Sequence, residues 1–142
     1  VQTKKECGLS NTKIYTLPIY WSQSKKKTVL VGMNVYRNWH YLVSAKFKRE
    51  FTELVEPQTI GQSKITQPYQ LHIKLYYKNS NCDGSNIIAL IEKVFLDALI
   101  SAGVLIGDTV QWHKSTSWEV IAQDKINPRC EITIKEINSV PN

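Results

Sequence analysis

Hydrophobic alternation and helical spacing divide this chain into short runs. Residues 13–20 (KIYTLPIY) and 28–32 (TVLVG) are rich in β-branched and aromatic residues, and the lysine-rich turn between them predicts a hairpin. Pro18 has no N–H to give a central ladder, so it belongs at an edge or a bulge. Over residues 39–56 the period changes. Ala45, Phe47, Phe51, Leu54 and Val55 recur at near-helical spacing, with Lys46, Lys48, Arg49, Glu50 and Glu53 between them. Pro57 ends this helix and residues 58–68 read as a polar loop. Residues 69–77 (YQLHIKLYY) alternate apolar and polar, as a half-buried strand does.

A cluster of turn formers, residues 79–85, follows, with Ser85 as the expected N-cap of a helix over 86–102 that Gly103 stops. Two further strands are expected over residues 110–121 and 130–137. The order β-β-α-β-α-β-β predicts an α/β (α+β) fold: one domain over residues 1–142, with a mixed sheet and two main helices. Residues 1–12 read as a disordered tail. The second helix is apolar nearly all round, from Ile87 through Ile100. Such a helix is packed on two sides, which predicts its own sheet on one and a second subunit, hence a homodimer, on the other.

Composition narrows the class. A chain of 142 residues can bury a core without disulfides, and Cys7, Cys82 and Cys130 are too scattered for a disulfide framework or a zinc site. No run approaches the ~20 apolar residues of a membrane span, and the polar N-terminus lacks a signal-peptide core, so a cytoplasmic protein without a membrane partner is expected. The formal charge of +6 favours a polyanionic partner. Its lysines gather at Lys25, Lys26 and Lys27 and again, with arginine, at Lys46, Lys48 and Arg49.

Candidate chemistry lies on and around the second helix. At 100° per residue, Asn86, Lys93, Asp97 and Ser101 form one narrow stripe, beginning beside Asp83 where the helix dipole favours phosphate. The stripe is either a solvent face with a Lys93–Asp97 pair or the wall of a cleft. Glu92 points the opposite way. Asp108 sits just before the next strand. If that strand starts beside the start of the helix, Asp83 and Asp108 converge, and converging carboxylates suit a hard cation such as Mg²⁺. Trp39, Trp112 and Trp118 are candidates for stacking on unpaired bases, although core packing is the commoner use of tryptophan.

Three segments, Asp83-Gly-Ser-Asn86, Glu92-Lys93-Val-Phe-Leu-Asp97-Ala-Leu99 and Ala102-Gly103-Val-Leu-Ile-Gly-Asp108, resemble the core of RusA-like Holliday junction resolvases. That core has a D-x-D-N element, a helix with Lys four residues before D-A-L, and an A-G…D-D turn. Asn34-Val-Tyr36-Arg37 is similar to the family's N-x-Y-x-R stretch, and residues 127–134 to its last strand. The resemblance implies a homodimeric, Mg²⁺- or Mn²⁺-dependent endonuclease, of a kind common in phages and prophages, that cuts four-way DNA junctions in the cytoplasm of the host. Asp83, Lys93, Asp97 and Asp108 would be catalytic, and Asp83, Asp108 and Ser85 would hold the metal. Asn34, Tyr36, Arg37 and Asn86 would join the two lysine clusters on DNA. Two departures stand out: Ser85 replaces the second acid of the first element and Gly107 the first acid of the turn. They leave open a branched-DNA-binding dimer that cuts weakly or not at all.

Overall fold

A computed structural model describes residues 13–137; the tail expected over residues 1–12 lies outside the described residues. The apolar run at residues 13–20 is broken by Pro18 and divided between two sheets. Its first half is β1 (Ile14–Pro18), which pairs antiparallel with the last strand. Its second half is β2 (Tyr20–Ser24), which forms the hairpin with β3 (Lys27–Leu30). The hairpin is therefore shorter than the sequence predicts, and Pro18 ends a strand at a sheet edge, where its missing N–H is tolerated.

A short helix absent from the sequence reading, α1 (Met33–Arg37), precedes α2 (Tyr41–Val55). A 3₁₀ turn (Glu56–Thr59) around Pro57 closes α2. After β4 (Tyr69–Tyr77) the chain enters α3 (Gly84–Ser101), then β5 (His113–Gln123) and β6 (Arg129–Glu136). Gly103 stops α3 with φ of +80°, a conformation that favours glycine. The larger sheet has the order β1-β6-β4-β5, with β4 and β5 parallel and the other pairs antiparallel. The domain is an α+β fold with a mixed sheet and two substantial helices.

β4, α3 and β5 form a β-α-β unit, so α3 runs back antiparallel to both strands. Leu71, Ile73 and Leu75 of β4 face it, against Ile87, Leu90, Ile91, Phe95 and Leu99 of α3. The second apolar side of α3 is covered by Phe47, Phe51 and Val55 of α2, all fully buried in the same core. The helix thus buries most of its apolar circumference within one subunit, and α3 leaves little apolar surface for a second copy.

Candidate nucleic-acid interface and split acidic site

The N-terminus of α3 is built by short polar residues that hold one another. Asp83, not Ser85, is the N-cap: its Oδ1 accepts from the Asn86 N–H at 3.3 Å and from the Ser85 hydroxyl at 3.0 Å. An aspartate two residues before the expected cap satisfies the same orphan donors, which is why the sequence alone did not separate them. Asn86 turns the other way, and its Oδ1 accepts the Asn34 N–H at 2.8 Å. Gly32 makes this contact possible, because a Cβ there would lie 2.2 Å from the Asn86 Nδ2. Asn34, Asp83, Ser85 and Asn86 therefore meet at one end of the molecule.

Asp108 does not join them. Because β5 is parallel to β4, it starts beside the C-terminal end of α3, and Asp108 lies just before it. The 18 residues of α3 separate the two aspartates by about 27 Å along the helix axis. Lys93 and Asp97 lie further along α3 than Asp83, about 15 Å and about 21 Å at the same rise, so neither reaches a phosphate held at Asp83. Lys93 is exposed and Asp97 half-buried. The Lys93–Asp97 pair open at i,i+4 is not among the ion pairs of the described residues. Among the described residues no three His, Cys, Asp or Glu side chains are grouped to hold a metal ion. Among the described residues of one subunit, Asp83 and Asp108 therefore do not share a site.

The surroundings of Asp108 leave little room for a side chain at Gly107. Trp112 packs so closely that a Cβ on Gly107 would lie 3.2 Å from its Cδ1. The Gly107 carbonyl accepts the Tyr69 hydroxyl at 3.0 Å. Burial, helped by Asp108 and Glu92, pushes that phenol up to about 12, so it stays a donor. Tyr69 stacks on His113 at 5.4 Å between ring centroids. The His113 Nε2 lies 2.7 Å from the Thr116 Oγ1 and 3.3 Å from a Glu92 carboxylate oxygen, which also accepts from the Thr116 hydroxyl. A second network crosses the open face of the sheet, where His72 bridges Ser117 and Glu119 at 2.7 Å each. The sequence pattern pointed to neither network. Strand register, which pairs His72 with Ser117, was the information it lacked.

The basic residues divide by environment. Lys25, Lys26, Lys27, Arg37, Lys48 and Arg49 are exposed. Lys46 is half-buried and donates to the Gln23 carbonyl at 2.9 Å, so its role is partly internal. Tyr36, expected on DNA, turns its ring into an aromatic cluster with Trp39 and Phe47, and Trp39 packs there also against Trp21. Trp39 is thus a packing residue. Trp118 is 39% exposed and lies against Gly84, next to Asp83.

Two further observations concern the surface. Eleven of the twelve carboxylates lie at Glu50 or beyond, while residues 7–49 carry eight lysines and arginines and no acid. Strand β5 is an edge of the sheet, eleven residues long, with Trp118, Val120 and Ile121 exposed. A long exposed edge offers unpaired backbone N–H and C=O groups to another chain. No helix among the described residues is long and apolar enough to cross a membrane. No protein-family model and no curated protein matches the chain.

Proposed function

We propose that the protein is a metal-dependent endonuclease for branched DNA whose acidic sites are completed across a two-fold dimer. The observation that carries this reading is the combination of aspartates at opposite ends of one helix with an open edge strand alongside. Antiparallel pairing of β5 with β5 of a second copy, about an axis normal to the sheet, keeps both α3 helices on one face and runs them in opposite directions. Gly84 lies against Leu75, level with Val120, while Gly107 is held by Tyr69, level with His113. An axis near Ser117 therefore brings Asp83 of one subunit toward Asp108 of the other. It also covers Trp118 and Val120, which share the helix-side face of β5 with Thr116.

In this arrangement Asp83 and Asp108 would be the charged oxygen ligands of a metal ion, with Ser85 beside Asp83. Mg²⁺ or Mn²⁺ held there would supply polarisation of the phosphate and activation of water. The exposed lysines and arginines of the N-terminal third hold the sugar–phosphate backbone, which gives affinity without sequence information. Two sites related by a two-fold axis match a four-way junction, whose opposed strands are similarly related.

Complementation tests the reading. Asp83→Asn and Asp108→Asn are each expected to abolish Mg²⁺-dependent cleavage of a synthetic four-way junction while leaving binding intact. Mixed and re-equilibrated, they form heterodimers carrying one intact site, and nicking returns to about a quarter of the wild-type site number by random subunit assortment. Mixtures that stay inactive, while each variant still binds as a dimer, would eliminate the shared site. Wild type that binds junctions with no metal-stimulated cleavage would leave a branched-DNA-binding dimer, a reading favoured by the acids missing at Ser85 and Gly107.

A further inference from the structure

The start of α2 carries an aromatic step that the split site does not use. Tyr41, its first residue, is 73% exposed, and Leu42 beside it is 62% exposed. The His40 ring stacks on Tyr41 with centroids 4.6 Å apart and planes at 30°. His40 is also the N-cap of α2: its Nδ1 accepts the Leu42 N–H at 3.2 Å. Histidine is not among the residues favoured at this position. The capping bond fixes the imidazole, and the imidazole backs one face of the phenol. Tyr41 is therefore held in place while remaining mostly in water.

A pre-positioned ring loses little freedom when something stacks on it, so its contact energy is retained as affinity. The setting selects an anionic occupant. The first turn of α2 has no carboxylate, Arg37 precedes it, and the whole segment lies within the acid-free stretch of residues 7–49. The step follows α1 after three residues, and α1 is itself tied to the N-terminus of α3. That tie is the bond from the Asn34 N–H to the Asn86 Oδ1 at 2.8 Å.

We infer that Tyr41, backed by His40, is a stacking platform for a nucleobase exposed at the branch point of DNA. The inference rests on the branched-DNA reading above and adds to it the contact that distinguishes a branch from a plain duplex. A paired, stacked duplex offers phosphates to the basic residues but no free base face to Tyr41. A branch offers both. Trp118, exposed beside Asp83, would be covered by the dimer, which leaves Tyr41 as the most exposed aromatic ring among the described residues.

The test compares a four-way junction with a duplex of equal length by fluorescence anisotropy in EDTA. Tyr41→Ala is expected to weaken junction binding by roughly 5- to 150-fold, the loss of one stacked base, and to leave duplex binding and its salt slope unchanged. Tyr41→Trp should restore junction binding, with its emission quenched on the junction only. A 2-aminopurine at the branch point should change fluorescence with wild type and not with Tyr41→Ala. Equal weakening of junction and duplex, or no weakening, would overturn the platform. So would loss of the dimer in Tyr41→Ala by sedimentation, which would make this patch a protein interface. Failure of wild type to bind either DNA at low salt would remove the DNA reading itself, and the platform with it.

Discussion

Gly32 and Asn86 show how one missing side chain positions a site. The Asn86 amide occupies the space a Cβ on residue 32 would take, so Gly32→Ala must push α1 away from α3 or expel the amide. Overpacking of this kind costs about 1–3 kcal/mol, and urea denaturation should show that loss. Adding Asn86→Ala removes the obstructing amide, and the double variant should regain part of the stability that Gly32→Ala removes. Asp124 illustrates a different device. Its carboxylate accepts the Asn127 N–H, pairs with Arg129 and accepts the Ile126 N–H, and these contacts, the Asn127 bond foremost, hold its folded value below the usual carboxylate range. A lowered folded value means the stabilisation is present above the unfolded value and is lost as pH falls through the folded one. Asp124→Asn should therefore be destabilised near neutrality and approach wild type in acid. Denaturant midpoints across that pH range read the difference.

At the scale of elements, β5 is the longer of the two edge strands of the main sheet. A central strand is flanked by a partner on each side, but β5 pairs only with β4 and leaves Val120 53% exposed on the side facing α3. Natural sheets guard such edges with lysine or proline. Val120→Lys would place a charge where a second copy of β5 would pair. The variant should keep its fold, since Val120 contributes little to the core, while sedimentation shifts to monomer and junction cleavage falls below detection. A dimer that persists with full cleavage would move the interface away from β5. The behaviour of α3 is the opposite. That helix looked like the dimer element because it is apolar all round, yet its far side is filled by Phe47, Phe51 and Val55.

For the whole molecule the dominant feature is the separation of charge along the chain. The first third is basic and contains Lys25, Lys26 and Lys27 on an exposed hairpin turn; eleven of the twelve acids come later. Neutralising DNA phosphates releases counterions, so binding should fall linearly in log–log form with salt. Replacing Lys25, Lys26 and Lys27 by Gln should flatten that slope by about one unit for each phosphate no longer neutralised. Replacing Lys46 should change stability more than slope, because its ammonium is already given to the Gln23 carbonyl. A slope that stays unchanged after neutralising the hairpin turn would move the DNA path to another face.

By itself, the sequence determined what depends on neighbours along the chain. The strand at Tyr69–Tyr77 was legible from its alternation, α3 from its apolar run and its stop at Gly103, and α2 from its spacing and Pro57. Local hydrogen bonding and side-chain period decide these features, and both are written in consecutive residues. The cap at Asp83 was ambiguous because Asp, Gly and Ser in a row offer more than one way to satisfy the same N–H groups. What only the tertiary structure decided was every relation that depends on strand direction and register. A parallel β5 places Asp108 at the far end of α3 from Asp83, whereas an antiparallel one would have brought them together. Nothing in the residues of either strand specifies that choice locally. It follows from the α3 crossover, which must return the chain to the same end of the sheet before β5 can begin.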